Sequence, residues 1–543
     1  MTVESAISIR ELSFRYRDRE ELALQDINLE VKPGELLLVA GVSGCGKTTL
    51  IRCLNGLVPR SYKGELTGQI RLQGQDIADL SLARISQLVG TVLQDPERQI
   101  LNAQVLNEVA FGLENLGLKR EEIRSRSLEA LDYLHIADLS ERQTFSLSGG
   151  EKQKVALAGV LAMRPGVLLL DEPLASLDPA SAQETLAQVR QLVDQGLTVL
   201  LVEHRVEDVL AIHPDRILYL VEGEIRYLGD PEGLYKVVDY REVKLPAEVI
   251  MERAAQDPPP GAIEFLPGAT GRDGEGEPPL VSFRDVSFGY TEDQSVLERV
   301  NLDIRRGEVV AVLGANGAGK TTLVKHAIGL LKPREGRVLV NGRDTRELSV
   351  AQIAGTLGYV FQSPSHMLFA PTVREELSFG PKNMGHAPEE IEKEVREAIE
   401  LVNLKGLEED PPLALSFGQQ KRVSIAAILS MHSRILVMDE PSAGQDYKNY
   451  RNFMDAILEL PGFEAILFIT HDIDLAVVYA TRVLLVSEGC VAADGPPEEV
   501  LSDFELLVGS RLVPTSLLKA NVARLPDTGR FMRAEVLAHL NHH

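Results

Sequence analysis

Two short stretches of this 543-residue chain carry residue types suited to gripping phosphate. The first is Gly41-Val42-Ser43-Gly44-Cys45-Gly46-Lys47-Thr48-Thr49, and the second is Gly314-Ala315-Asn316-Gly317-Ala318-Gly319-Lys320-Thr321-Thr322. Gly41, Gly44 and Gly46, like Gly314, Gly317 and Gly319, let backbone N–H groups close around phosphate oxygens. Lys47 and Lys320 can reach the outer phosphates, and the hydroxyls of Thr48 and Thr321 suit Mg²⁺. Each loop follows an apolar run, residues 36–40 or 309–313, that reads as a buried strand. Each also opens a helix, whose N-terminus adds partial positive charge.

Further pairs of residues sit at strand ends or helix starts. Gln94 and Gln362 each follow a short apolar strand and enter a proline-containing loop. Each glutamine suits sensing Mg²⁺ and an attacking water, or is an ordinary turn residue. Ser148-Gly149-Gly150 and Ser416-Phe417-Gly418 precede helices, where a serine caps and an anion can bind. Asp171-Glu172 and Asp439-Glu440 end apolar runs as paired carboxylates. In an open α/β sheet the carboxyl ends of strands carry the ligand site. Asp171 and Asp439 suit the Mg²⁺ shell, and Glu172 and Glu440 suit a base that polarises water. His204 and His471 end later strands and become candidate γ-phosphate sensors. Upstream, Tyr16 and Tyr290 close two near-identical strands; a tyrosine there can stack on adenine or merely end the strand.

The spacing decides against chance. Lys47 and Lys320 stand 273 residues apart, Ser148 and Ser416 268, Asp171 and Asp439 268, and His204 and His471 267. A near-constant offset marks a duplicated domain. The first copy's few extra residues fall in the loop of residues 59–67. Charged helical stretches at 120–134 and 389–402 carry apolar seams and no assigned chemistry. Residues 246–279, with Asp257-Pro258-Pro259-Pro260-Gly261, read as a Pro/Gly-rich linker. The expected organisation is therefore a first domain at 1–245, the linker at 246–279, a second domain at 280–508 and an extension at 509–543. The terminal Asn541-His542-His543 could take a metal, or is a frayed end.

Bulk composition narrows the class. The chain is 44% hydrophobic and 25% charged, as in ordinary globular proteins. It contains no run of eighteen apolar residues that would span a membrane. Its start has charges and no apolar core, so no secretory signal is expected. Three cysteines without a Cys-x-x-Cys pair indicate neither a disulfide framework nor a zinc site, and fit a reducing cytoplasm. A net charge of −24 argues against broad nucleic-acid binding, and no nucleic acid is expected as partner.

Taken together and in order, these motifs resemble the ATP-binding-cassette (ABC) ATPases, twice over nearly the whole chain. The resemblance makes residues 41–49 and 314–322 Walker A loops, Gln94 and Gln362 Q-loop glutamines, and Ser148 and Ser416 the starts of signature motifs. Asp171, Glu172, Asp439 and Glu440 match Walker B with its catalytic glutamate. Asp178 and Asp446 match the D-loop aspartate, and His204 and His471 the switch histidine. The implied fold is α/β: two tandem domains, each a RecA-like P-loop core with a helical subdomain and an antiparallel β lobe. The implied cofactors are ATP and Mg²⁺. Family dimers sandwich ATP head to tail, so intrachain pairing would set Lys47 against Ser416 and Lys320 against Ser148.

The phrases Gln94-Asp95-Pro96-Glu97-Arg98-Gln99 and residues 108–117, echoed at 376–385, are similar to energy-coupling factor (ECF) ATPases. That resemblance implies a motor for uptake of a vitamin or metal ion. Its partners would be a membrane T component and a substrate-binding S component, and its place the cytoplasmic face of the membrane, as a peripheral protein. The alternatives are a tandem ABC ATPase acting on ribosomes, which usually has a charged helical linker, and a fused sugar-importer ATPase. Two departures stand out. Phe417 replaces the usual first signature glycine, and Glu203 stands where threonine commonly precedes the histidine. If the Phe417 ring faces the nucleotide, the Lys47–Ser416 site should be the slower; if it points away, the two sites become equivalent.

Overall fold

The sequence repeat returns as a repeat of strand order. A computed structural model describes residues 5–175, 177–256, 277–292 and 294–539. They divide into two units, Met1–Leu245 with Gly444–Lys448, and Pro246–Ala443 with Asn449–His543.

In the first unit a four-stranded antiparallel sheet is ordered Leu24–Val31, Ile7–Tyr16, Gly64–Leu72, Gln75–Asp76. A six-stranded sheet runs Glu224–Gly229, Arg216–Val221, Leu36–Ala40, Thr198–Val202, Val167–Asp171, Val89–Val92. All its neighbours pair parallel except the edge strand Glu224–Gly229. Burial follows from this layout. Every residue of Leu36–Ala40, Val167–Asp171 and Thr198–Val202 is buried, as expected where both faces of a parallel sheet are covered. Leu24–Val31 instead alternates, burying Leu24, Ile27, Leu29 and Val31. Those side chains, with Phe14, Leu50 and Leu54, fill the space between the sheets and the helix Lys47–Leu54. Full burial of each such side chain contributes ~1.5–3 kcal/mol.

The second unit repeats the plan. Its antiparallel sheet is ordered Leu297–Ile304, Val281–Phe288, Glu335–Val340, Arg343–Asp344. Its larger sheet is ordered Leu357–Val360, Ile435–Asp439, Ala465–Thr470, Val309–Leu313, Arg482–Ser487, Cys490–Gly495. The first copy's extra residues form the short helix Leu57–Arg60 and lengthen the strand Gly64–Leu72 to nine residues, against six in Glu335–Val340.

Each unit carries a helical group: Val105–Asn115, Arg120–Tyr133 and Gly149–Ala162 in the first, Val373–Met384, Pro388–Leu401 and Phe417–Leu429 in the second. The seams are partly as expected. Leu131 and Leu134 are buried, as are Val395 and Ile399, but Leu128 is exposed.

The segment expected as linker opens differently from that expectation. Residues Ala247–Gln256 form a helix that packs on the C-terminal helices Ser516–Thr528 and Ala534–His539. Ile250 and Ala254 are buried there, and the Ala247 amide donates to Ser516 Oγ at 2.8 Å. Residues 257–276 of that segment and Asn541-His542-His543 lie outside the described residues. Among the described residues no helix is long and apolar enough to cross a membrane.

Candidate functional site

The loops read from the sequence as suited to phosphate sit at the carboxyl ends of the Leu36–Ala40 and Val309–Leu313 strands. Glycine is required there for two separable reasons. A Cβ on Gly41 would lie 2.5 Å from the Leu220 carbonyl oxygen, and on Gly314 2.3 Å from that of Val486. Gly46 and Gly319, which cap the following helices, take φ of 111° and 105°, where a side chain is strained. Gly44 and Gly317 meet no atom within 4 Å of a built Cβ but hold φ of 81° in both copies.

Lys47 and Lys320 are buried at the first helical turn. The Lys47 ammonium donates to the carbonyls of Gly41 at 2.8 Å and Val42 at 2.9 Å. Lys320 does the same to Gly314 at 2.7 Å and Ala315 at 2.9 Å. Each ammonium is thus folded across its own loop, at the place where phosphate oxygens would be cradled.

The parallel sheet brings the carboxylates alongside. Thr48 Oγ1 donates to Asp171 Oδ1 at 3.5 Å, and Thr321 Oγ1 to Asp439 Oδ2 at 3.4 Å. Burial, then the Glu172 charge, pushes the Asp171 carboxyl up to about 6. Burial likewise raises Asp439. A hydroxyl and a poorly compensated carboxylate are hard oxygen donors, the set Mg²⁺ prefers when substrate phosphates supply its other ligands. The residues present therefore fit that ion.

Glu172 and Glu440 share an unusual backbone, with φ of 50° and 45°. Non-glycine residues rarely adopt this left-handed conformation. It turns both side chains toward the next strand end. His204 Nε2 donates to Glu172 Oε1 at 2.8 Å, whereas His471 uses Nδ1 to reach Glu440 Oε1 at 2.9 Å. Burial acts to raise both glutamates, but the histidine contacts and the nearby Lys47 or Lys320 charge outweigh it. Both carboxyls end below their ordinary range. They are therefore ionised and able to accept a proton from a polarised water.

The glutamine loops differ in their bonding. Gln94 Nε2 donates to Glu172 Oε2. Gln362 is exposed and makes no such bond among the described residues. Ser148 and Ser416 are helix N-caps in full capping boxes with Glu151 and Gln419. Gly149, Gly150 and Gly418 lie in the first turns. Phe417 is the first helical residue, 38% exposed, with Lys421 Nζ 5.2 Å from its ring centroid. Asp178 caps the helix Pro179–Asp194. Within the first unit the Ser43 amide donates to Asp446 Oδ2 at 2.7 Å.

The tyrosines and the second threonines meet each other. The hydroxyls of Tyr16 and Thr49 are 3.1 Å apart, and those of Tyr290 and Thr322 3.2 Å. Tyr16 also accepts from Arg52 at 3.1 Å. The rings are thereby held beside the first turn of the phosphate-loop helix. Tyr290 remains 54% exposed, open to stacking.

The structure adds one participant given no role from the sequence, Tyr359, and gives contacts to three residues of the phrases similar to ECF ATPases. Tyr359 donates to Asp439 Oδ2 at 2.6 Å, and residue 91 of the first copy is threonine. Gln99 closes the loop after Gln94: its Oε1 accepts the Leu93 amide at 2.9 Å. Glu108 and Glu376 are buried and bind paired amides, of Leu101 and Asn102, and of Phe369 and Ala370. Glu108 and Glu376 stand 268 apart, the repeat offset, and open the two similar phrases at 108–117 and 376–385.

Known proteins resemble this chain over nearly its whole length. A family model described as "ABC transporter" matches residues 24–175 and 297–443. A Methanosarcina acetivorans protein is 37% identical over 544 residues, covering 94% of this chain and 88% of its own. A Streptococcus pneumoniae protein is 38% identical over 542 residues, covering 96% of each. Both bear the name "Putative ABC transporter ATP-binding protein". Among solved structures, cbiO1 from Clostridium perfringens, described as part of the ABC transporter complex cbiONQ, is 33% identical. It covers 49% of this chain and 100% of its own, with a TM-score of 0.40.

Proposed function

From the premise that the chain belongs to the ABC transporter family, as a tandem ATPase using ATP and Mg²⁺, we propose that it is the motor of an ECF importer. In this reading it drives uptake of a vitamin or metal ion through a membrane T component and a substrate-binding S component, from the cytoplasmic face of the membrane. The observation that carries the proposal is the run from Gln94 to Gln99 with its echo at 376–385, the phrases similar to ECF ATPases. The local structure lends support. Gln99 ties this run into a closed turn, and Glu108 and Glu376 hold the segments that follow.

We assign the site residues as follows. Backbone N–H groups of residues 41–49 and 314–322, with Lys47 and Lys320, bind the phosphates. Thr48 with Asp171, and Thr321 with Asp439, would hold Mg²⁺, aided by Gln94 and Gln362. When bound, Mg²⁺ offsets the charge on the phosphates and orients them. Glu172 and Glu440 each take a proton from the attacking water, and His204 and His471 hold those carboxylates in place. Tyr16 and Tyr290 stack on adenine. Ser148, Gly149 and Gly150 would complete the site of Lys320, and Ser416 and Gly418 that of Lys47, across an intrachain sandwich. Closure on ATP and opening after hydrolysis would be a ligand-driven population shift.

Purification from membranes in mild detergent tests the reading. The chain should co-purify with integral membrane proteins, and photo-cross-linkers at Arg98 and His366 should reach one of them. Arg98 is chosen because its neighbour Gln99 is turned inward. Recovery with ribosomes instead would replace the proposal by the ribosome-acting alternative.

A further inference from the structure

The two copies hold their glutamates by different means. The backbone is the same in each: the Glu172 amide donates to the Val202 carbonyl and the Glu440 amide to the Ile469 carbonyl, both at 2.9 Å. The residue that follows that carbonyl is Glu203 in one copy and Thr470 in the other. Thr470 is fully buried, and its Oγ1 donates to Glu440 Oε2 at 3.2 Å. The same oxygen accepts the Asp472 amide at 3.0 Å, so the hydroxyl hydrogen is directed at Glu440. Glu440 thus has both oxygens held from one strand end, by Thr470 and His471.

Glu203 is also buried, yet serves the main chain. Its Oε1 accepts the amides of His204 at 2.8 Å and Arg205 at 3.2 Å, and its Oε2 accepts that of Leu174 at 3.2 Å. No hydrogen bond joins Glu203 to Glu172 among the described residues. The second oxygen of Glu172 is taken by Gln94, on a loop 78 residues away in sequence.

We propose that the residue before each histidine decides what positions the neighbouring glutamate. Thr470 is a positioning residue that orients Glu440 from the strand end. Glu203 braces the histidine loop against the turn after Glu172, and leaves Glu172 to be oriented by Gln94. Orientation of the glutamate is therefore independent of the glutamine loop in one copy and dependent on it in the other. This inference rests on the reading of Glu440 and Glu172 as bases.

ATP turnover and ATP affinity of the full chain, measured for Thr470→Val, Thr470→Ser and Glu440→Gln, each in a Glu172→Gln background that leaves turnover to the second copy, test it. Thr470→Val should lower kcat about tenfold, with ATP affinity within about twofold and a melting temperature lowered by only a few degrees, since the Asp472 amide loses its acceptor. Thr470→Ser should return kcat to within about twofold, because the hydroxyl is what acts. A full kcat in Thr470→Val, or a loss in Thr470→Ser equal to that in Thr470→Val, overturns the proposal while Glu440→Gln remains inactive. If Glu440→Gln itself keeps full turnover, the base assignment fails and the inference with it. In the other copy, read in a Glu440→Gln background, Glu203→Thr should shrink the loss caused by Gln94→Ala at least about threefold, since Glu172 gains a hydroxyl donor. An undiminished loss there also contradicts the proposal.

Discussion

Lys421 Nζ donates to the carbonyl oxygen of Pro441 at 2.7 Å, joining the helix that begins at Ser416 to the turn that follows Glu440. The amine is 2% exposed and lies near the rings of Phe417 and Phe453. Burial pushes it from its ordinary 10.5 down to about 7, although the Glu440 charge pulls the other way.

A pH dependence of stability follows from this amine. Below about 7 it is charged both folded and unfolded, and the full cost of burying that charge is present. Between about 7 and 10.5 the unfolded chain binds a proton that the folded chain does not, so stability rises with pH. Denaturant unfolding from pH 6.5 to 9.5, in steps of about half a unit, should show this rise in the native chain and a flatter profile in Lys421→Met. Identical profiles would place the titration elsewhere.

The proposed function makes turnover depend on the two strand-end glutamates. Glu172→Gln with Glu440→Gln should lower ATP hydrolysis by about 10²–10⁴-fold, since a general base is lost. ATP should still bind, because Lys47, Lys320 and both loops are untouched. Phosphate release beside equilibrium nucleotide binding separates these effects, and undiminished hydrolysis would remove both glutamates from the base role.

The single substitutions probe asymmetry. Glu440→Gln should cost more turnover than Glu172→Gln, because the site of Lys47 would be completed by the helix start that carries Phe417. The ring is exposed, with Lys421 Nζ 5.2 Å from its centroid. A larger loss from Glu172→Gln contradicts the expectation directly.

The glycines can be graded. Gly314→Ala places a Cβ 2.3 Å from the Val486 carbonyl oxygen, so the loop must move, and ATP binding at that site should weaken at least about tenfold. Gly317→Ala meets no atom and costs only the strain of its φ of 81°, about 1–2 kcal/mol. Fluorescent-nucleotide titration in a Lys47→Ala background isolates the second site. Equal weakening by the two would show that backbone conformation, and not the carbonyl contact, sets the requirement.

Much of this was legible in the chain itself. The duplicated offsets, the apolar runs that become fully buried strands, and the loop, carboxylate and histidine pairs are local or periodic signals. Leu36–Ala40 and Val309–Leu313 need no distant information to read as strands, because parallel strands covered on both faces are apolar throughout. Glycine spacing and the strand-then-helix context likewise determined where phosphate would be gripped.

What only the tertiary structure decided is which side chain touches which. Thr470 reaches Glu440 because Ile435–Asp439 and Ala465–Thr470 are neighbours in the sheet, with Asp439 in register with Ile469. Nothing in either segment specifies that adjacency; packing of the whole sheet does. The choice of His204 Nε2 against His471 Nδ1, the turn of Gln94 onto Glu172, and the bond from Tyr359 to Asp439 arise in the same way. The helix Ala247–Gln256 was hidden for a related reason. It lies beside a proline-rich run, and its apolar face is buried only against helices more than 260 residues further on, as the 269-residue separation of Ala247 and Ser516 shows. A short helix is marginal alone, so packing on those helices decides it.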